Sequence, residues 1–344
     1  MKKIFLIRAN KNPYGGAENY LLRLSSQLTK IGFKHQIIYS NLPKFLPSWI
    51  RVLLFNLKLS LLKSKKFYFS LERISCSDIY RAGDGVHKEF LRIEKKSKFN
   101  PLHPIYLFLE KKCFENSKKI IANSYMVKQE IIKNYGIDEK KIIVIYNGFN
   151  PKKLDYEDSY KKISKEFDIN KNEKFFLFVG SGFKRKGVEN FLEIISKLRD
   201  RKIKAFVVGK ESNLKYYKKI SHDLMINDIV YFVGARLDVN DFYNISDIFI
   251  LPSTYEPFGN AVLEAMSYGN AVFTTKQTGA SELINSKFIM AEPDDQNILD
   301  KIKILLDDQN KLVKVKMNNI ERSAKFTVEK NVSETLRVIN EIIT

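Results

Sequence analysis

The chain predicts an α/β protein of two Rossmann-like domains with a cleft between them. Three observations carry this expectation. Short apolar runs of strand length alternate with helical patterns along nearly the whole chain, as in parallel sheets wrapped by helices. The alternation restarts near Tyr146-Asn147-Gly148-Phe149-Asn150-Pro151, where Asn-Gly and Asn-Pro turn dipeptides interrupt it. The length, 344 residues, matches two domains of ordinary size.

Taken in order, the first half predicts strands at 4–7, 35–39, 79–81, 119–122 and 142–145, with helices at 17–31 and 124–134. A charged stretch from Lys152 to Lys171 reads as a linker plus a surface helix. The second half predicts strands at 175–179, 205–208, 229–232, 248–251 and 271–274. Helices are expected at 188–198, 214–225, 239–244 and 259–268, the last capped by Gly269, and the tail from Asn297 is helical and amphipathic. The expected domains are 1–160 and 161–327, with a C-terminal helix, 328–344, packing back on the first.

Composition narrows the class. An apolar fraction of 44% gives each half a core. Cys76 and Cys113 form no CxxC or Cys/His cluster and read as buried reduced thiols, which fits a cytoplasmic chain. The start, Met1 to Arg8, lacks the long apolar core and cleavage site of a signal peptide, and no stretch is apolar enough to span a bilayer. A net charge of +20 calls for an anionic partner: phospholipid, nucleic acid or a phosphorylated substrate. Richness in Lys, Asn and Ile throughout accounts for part of that charge as background.

The densest chemistry lies in Glu256-Pro257-Phe258-Gly259-Asn260-Ala261-Val262-Leu263-Glu264. Glu256 falls in a loop at the carboxyl end of a strand, where open α/β sheets bind ligands, and Glu264 falls on the following helix. Two acids around a helix N-terminus suit a ligand with hydroxyls at both ends and phosphate in the middle, the description of a nucleotide-sugar. A second loop, Gly180-Ser181-Gly182-Phe183-Lys184-Arg185-Lys186-Gly187, sets three cations at another strand end and suits a diphosphate. A third, Gly15-Gly16 after the first strand, allows close backbone approach, though a tight turn explains it equally well. In Gly83-Asp84-Gly85-Val86-His87, Asp84 and His87 could hold or deprotonate an acceptor hydroxyl; a structural turn accounts for the same residues. His35, His103 and His222 are isolated, and no metal-ligand spacing occurs, so no metal is expected. Finally, 44–66 and 88–119 interleave apolar and basic residues at helical spacing, which fits either a membrane interface or core-facing helices with lysine-rich outer faces.

The Glu256/Glu264 pair, Gly15-Gly16, Arg185-Lys186-Gly187 and Val233-Gly234 resemble the retaining glycosyltransferases of family four, with the GT-B fold. The loop 180–188 and Tyr80-Arg81-Ala82-Gly83-Asp84 look most like enzymes that add glucose to the lipopolysaccharide core. The resemblance implies that Glu264 accepts from the ribose hydroxyls of UDP and that Glu256 holds hydroxyls of the donor sugar, beside the backbone of Phe258, Gly259 and Asn260. It also implies that Arg185 and Lys186 neutralise the diphosphate, that Gly15 and Gly16 approach the donor, and that Asp84 or His87 lies near the acceptor. Many relatives carry an arginine several residues ahead of the loop lysine; here that stretch is Gly180-Ser181-Gly182.

The expectation is therefore a metal-independent, UDP-sugar-dependent hexosyltransferase without a cofactor. It would be a cytoplasmic monomer peripheral on the inner membrane, using a glycolipid acceptor and binding no nucleic acid. The competing readings are a GT-B synthase or phosphorylase on a soluble glucan, or a basic nucleic-acid-binding protein. The latter would show salt-sensitive binding to DNA or RNA, and the aromatic residues form no recognisable RNA-binding signature.

Overall fold

The computed structural model describes residues 3–10, 16–94 and 100–343. The chain divides into two compact units, Met1–Gly148 with Val328–Thr344, and Phe149–Thr327. Each is organised by one six-stranded sheet.

In the first unit the strands are β1 (Ile4–Ile7), β2 (His35–Ile38), β3 (Phe67–Ser70), β4 (Ile79–Ala82), β5 (Lys119–Ala122) and β6 (Ile142–Val144). Their spatial order is β2-β1-β3-β4-β5-β6, and every pairing is parallel. Parallel strands have both faces covered, so each must supply apolar residues to both. Alternation does this residue by residue. Ile79 and Ile121 join the core with Leu21, Leu24 and Leu28 of the helix Gly16–Lys30, while their neighbours Tyr80 and Ile120 join Cys113 and Phe114 on the other side. β3 was not expected from the sequence: its four residues are all buried, and they follow directly on a lysine-rich stretch.

The helix Val328–Ile343 belongs to this unit. Val332, Val338 and Ile339 enter the same core as β1 and the helix Gly16–Lys30. Asn331 Nδ2 donates to Tyr146 O at 2.5 Å, and Thr335 Oγ1 lies 3.2 Å from the Tyr20 hydroxyl.

The second unit contains β7 (Lys174–Val179), β8 (Ile203–Val208), β9 (Val230–Gly234), β10 (Ile248–Leu251), β11 (Ala271–Thr275) and β12 (Ile289–Met290). The order is β12-β11-β10-β7-β8-β9, again parallel throughout. The structure divides after Gly148, whereas the sequence suggested 160/161. The physical reason lies in the helix Tyr156–Ile163, which packs on the helix Val239–Ile245. Ser159 Oγ and Lys162 Nζ donate to the two carboxylate oxygens of Asp241, at 2.9 and 2.6 Å. No helix among the described residues is long and apolar enough to cross a membrane.

Ile339 is fully buried between the C-terminal helix and the first sheet's core. Ile339→Ala is expected to cost about 2–5 kcal/mol, read as a lower urea midpoint for the first unit's unfolding.

Candidate functional site

In the second unit the strand order reverses between β10 and β7: the chain builds outward from β7 through β8 to β9, then returns to β10 on the other side. Such a reversal opens a crevice at the carboxyl ends of the two strands. The loop leaving β7 leads into the short helix Phe183–Lys186, and the loop leaving β10 runs from Pro252 to Gly259. Because β7 and β10 pair directly, the two loops meet. Arg185 Nη1 donates to Glu256 Oε2 at 2.9 Å and to Tyr255 O at 2.6 Å, and Lys186 Nζ lies 2.8 Å from the same Glu256 oxygen. The Thr254 amide donates to Arg185 O at 2.9 Å, tying the loops by backbone as well. This close approach requires glycine at 187, where φ is +77° and a β-carbon would stand 2.0 Å from Pro252 O.

Burial pushes the Glu256 carboxyl up, but Lys186 and Arg185 outweigh it and hold it at about 2. Two cations on one carboxylate leave one positive charge uncompensated within this trio, as an anionic ligand requires. The Glu256 backbone is also fixed: its amide donates to Gln277 O and its carbonyl accepts from Gly279, both at 2.9 Å. Gly259 then turns the chain at φ +88° into the helix Asn260–Ser267; a β-carbon here would lie 2.7 Å from Thr278 Cγ2. The Phe258 side chain is buried, and its carbonyl accepts from the Ala280 amide at 2.6 Å. Asn260 and Glu264 lie one helical turn apart on the same face. The buried Tyr243 hydroxyl donates to Glu264 Oε2 at 3.0 Å and stacks on Tyr268, which fixes the second acid.

The first unit has its own reversal, between β1 and β3. Arg8 follows β1, Glu72 and Arg73 follow β3, and Asp84 and His87 follow β4. Arg8 Nη1 donates to Glu72 Oε1 at 2.8 Å, and the Ala9 amide donates to the same oxygen at 3.0 Å. Asp84 is half exposed, with its carboxylate 4.0 Å from Arg8. His87 is buried and turned elsewhere: its Nε2 lies 3.2 Å from Nδ1 of His103. Among the described residues no hydrogen bond or ion pair joins Asp84 to His87, so they do not form an acid–base dyad. Nor is His103 isolated, as its sequence context suggested. Gly16 opens the helix Gly16–Lys30, whereas Gly15 lies outside the described residues.

The sequence did not reveal Glu110, which organises this corner. It is fully buried and accepts from Arg73 Nε at 2.8 Å, the His87 amide at 2.7 Å and the Tyr135 hydroxyl at 2.6 Å. It therefore neutralises Arg73 and caps the helix His87–Glu94 in one contact set. Arg73 Nη2 in turn donates to Gly85 O at 3.0 Å, fixing the turn between Asp84 and His87. The readable signal was positional: Arg73 stands just past a strand end, but that strand, β3, was missed.

Burial and the nearby Arg73 hold the His87 imidazole down at about 4, against an ordinary value of 6.5, with His103 lowering it further and Glu110 opposing. His87 is thus neutral in the fold and takes up a proton on unfolding below pH 6.5. Its contribution is complete above pH 6.5 and is lost as the pH falls toward 4. Wild type is expected to lose roughly 1–3 kcal/mol more than His87→Asn between about pH 7 and pH 5, measured by urea denaturation at both pH values.

Two family models match the chain: glycosyl transferases group 1 over residues 159–322, and Glycosyltransferase Family 4 over residues 85–153. The chain is 30% identical over 208 residues to N,N'-diacetylbacillosaminyl-diphospho-undecaprenol alpha-1,3-N-acetylgalactosaminyltransferase of Campylobacter jejuni, covering 58% of this chain and 53% of that one. It is 26% identical over 238 residues to the lipopolysaccharide glucosyltransferase WaaG of Escherichia coli, covering 65% and 63%. The matched stretches thus span between half and two thirds of those relatives. The fold is similar to a crystal structure of WaaG, with a TM-score of 0.81 at 18% identity over 98% of this chain and 99% of that one. It is also similar to HepE of Anabaena, solved with UDP and glucose, with a TM-score of 0.76 at 17% identity over 99% and 100%. With two parallel six-stranded sheets, the chain has the GT-B fold and carries glycosyltransferase domains of the group 1 and family 4 types.

Proposed function

We propose that this protein transfers a hexose from a UDP-sugar to a membrane-linked glycan of the lipopolysaccharide type, with retention at the anomeric carbon. The observation that carries the reading is Glu256 held between Arg185 and Lys186 at the strand reversal, with Glu264 one turn into the next helix. In this reading the diphosphate takes up the positive charge that Glu256 leaves uncompensated. Glu256 accepts from sugar hydroxyls and Glu264 from the ribose. The bond from the anomeric carbon to the phosphate oxygen breaks, and the acceptor oxygen bonds to the same face. The acceptor's proton passes to the leaving phosphate, and UDP departs. Arg185 and Lys186 stabilise the charge that builds on the diphosphate, at about 3 kcal/mol for each donor. Glucose as the donor sugar is supported by the relatives named for glucose transfer or solved with it.

The membrane side of this reading is supported by the segment 44–66. In the helix Ser48–Leu61, Leu53, Leu54, Leu57 and Leu61 form one stripe. Leu57 is 54% and Leu61 76% exposed, and Phe45 just before the helix is 84% exposed. Lys44, Lys58, Lys65 and Lys66 flank the stripe. In the helix Leu102–Asn116 the single comparably exposed large apolar residue described is Phe108, and Lys95, Lys96, Lys98 and Phe99 lie outside the described residues. The segment 44–66 is therefore the better seat for an anionic bilayer.

Glu256→Ala is expected to lower transfer from UDP-glucose about 100-fold or more, with the fold intact by circular dichroism. Near-normal turnover would sink the site assignment. For the membrane contact, a Leu57→Asp/Leu61→Asp variant is expected to lose at least about tenfold in sedimentation with phosphatidylglycerol vesicles. Equal sedimentation of the variant and wild type would rule that surface out.

A further inference from the structure

A cavity of about 90 Å³ lies at the strand reversal of the first unit. Its walls come from the ends of three adjacent strands: Ala9 and Asn10 beyond β1, Ser40 beyond β2, and Glu72 and Arg73 beyond β3. The helix Ser48–Leu61 closes it with Arg51, Val52 and Phe55. Near 30 Å³ per water, the space holds about three waters, the size of a phosphoryl group and too small for a sugar ring.

Arg8 faces Glu72 at 2.8 Å and Glu18 and Asp84 at 4.0 Å, and Arg73 faces Glu110 at 2.8 Å. Arg51 has no carboxylate partner among the described residues, and its Nε is buried without any hydrogen-bond partner. A buried guanidinium N–H without an acceptor is costly unless a ligand supplies one. Ser40 and Ser48 also line the cavity, and among the described residues neither hydroxyl makes a hydrogen bond. Arg73 is held in place by Glu110 and Gly85 O, so its guanidinium is set before any ligand arrives.

We propose that this cavity binds a phosphoryl oxyanion, with Arg51 as its principal ligand and Arg73, Ser40 and Ser48 as supporting donors. The cavity belongs to the first unit, and Glu256 and its cations belong to the second. The assignment of the phosphoryl group to the acceptor rests on the transferase reading, whereas the anion site itself does not.

The test is calorimetric titration of the full chain with inorganic phosphate and with glucose 6-phosphate, at constant ionic strength in chloride and with UDP saturating. Wild type is expected to bind, and Arg51→Gln to bind at least about tenfold more weakly, or about 1.4 kcal/mol. Arg51→Lys, which keeps the charge and the stem but lacks Nε, is expected to lose several-fold and decides the matter if Arg51→Gln does not fold. Tighter binding of glucose 6-phosphate assigns the group to a sugar, and tighter binding of inorganic phosphate assigns it to the free ion. Unchanged affinity in both variants, or no phosphate binding in wild type, overturns the proposal. Failure of UDP to bind counts against the donor reading and leaves the Arg51 comparison intact.

Discussion

The convergence of Arg185 and Lys186 on one Glu256 oxygen is the interaction on which the second unit's site depends. Arg185 and Lys186 are adjacent cations on one short helix and repel each other, and the shared carboxylate offsets that repulsion. That carboxylate comes from a loop 70 residues downstream by chain, brought close because β7 and β10 pair. Ion pairs removed from water contribute little net stability, since desolvation offsets the attraction. Their value here is positional: the cations are already oriented, so an arriving anion does not have to order two long side chains.

The first unit solves a related problem with different geometry. Its polar groups also gather where the strand order reverses, but there Arg8 and Arg73 meet different acids, Glu72 and Glu110. Glu110 is the clearest case. One buried carboxylate satisfies an arginine, a tyrosine and two backbone amides at a helix start. No oxygen of this group is left without a partner, which is the condition for keeping a charge in a core. Its position then fixes Arg73, and through Arg73 the turn at Gly85.

How much of this could be read from the sequence follows from how local each signal is. Strands bounded by turn residues, such as 4–7, 119–122 and 248–251, are complete in their own few residues. β3 was hidden because a four-residue aromatic strand after lysines resembles the end of the preceding helical pattern. Losing β3 hid Glu72 and Arg73, since a strand end is what gives such residues meaning. Glu256, Glu264, Arg185 and Lys186 were legible because they sit beside well-marked strand ends. Glu110 was not, because it lies within a helix and its arginine stands 37 residues away along the chain. The domain boundary shifted for a similar reason: the contact of the helix Tyr156–Ile163 with Asp241 is made across some 80 residues.

The helix Ser48–Leu61 joins the two readings of the first unit. Arg51, Phe55 and Leu59 recur every four residues and face inward; Arg51 and Phe55 line the cavity, and Phe55 and Leu59 are buried. Leu53, Leu57 and Leu61 recur at the same interval but are offset by two residues, and all three are exposed. Two residues turn an α-helix by about 200°, so the stripes lie on opposite faces. A residue cannot slip from one stripe to the other without rotating the whole helix, and Phe55 and Leu59 in the core oppose that rotation. The anion cavity and the exposed leucines are therefore held at a fixed separation, one helix diameter of about 10 Å. If a bilayer seats the leucines, the depth of the cavity below that seat is set by the helix and not by a flexible loop. A phosphoryl group carried on a membrane-linked glycan would then meet Arg51 at a constant height above the lipid surface.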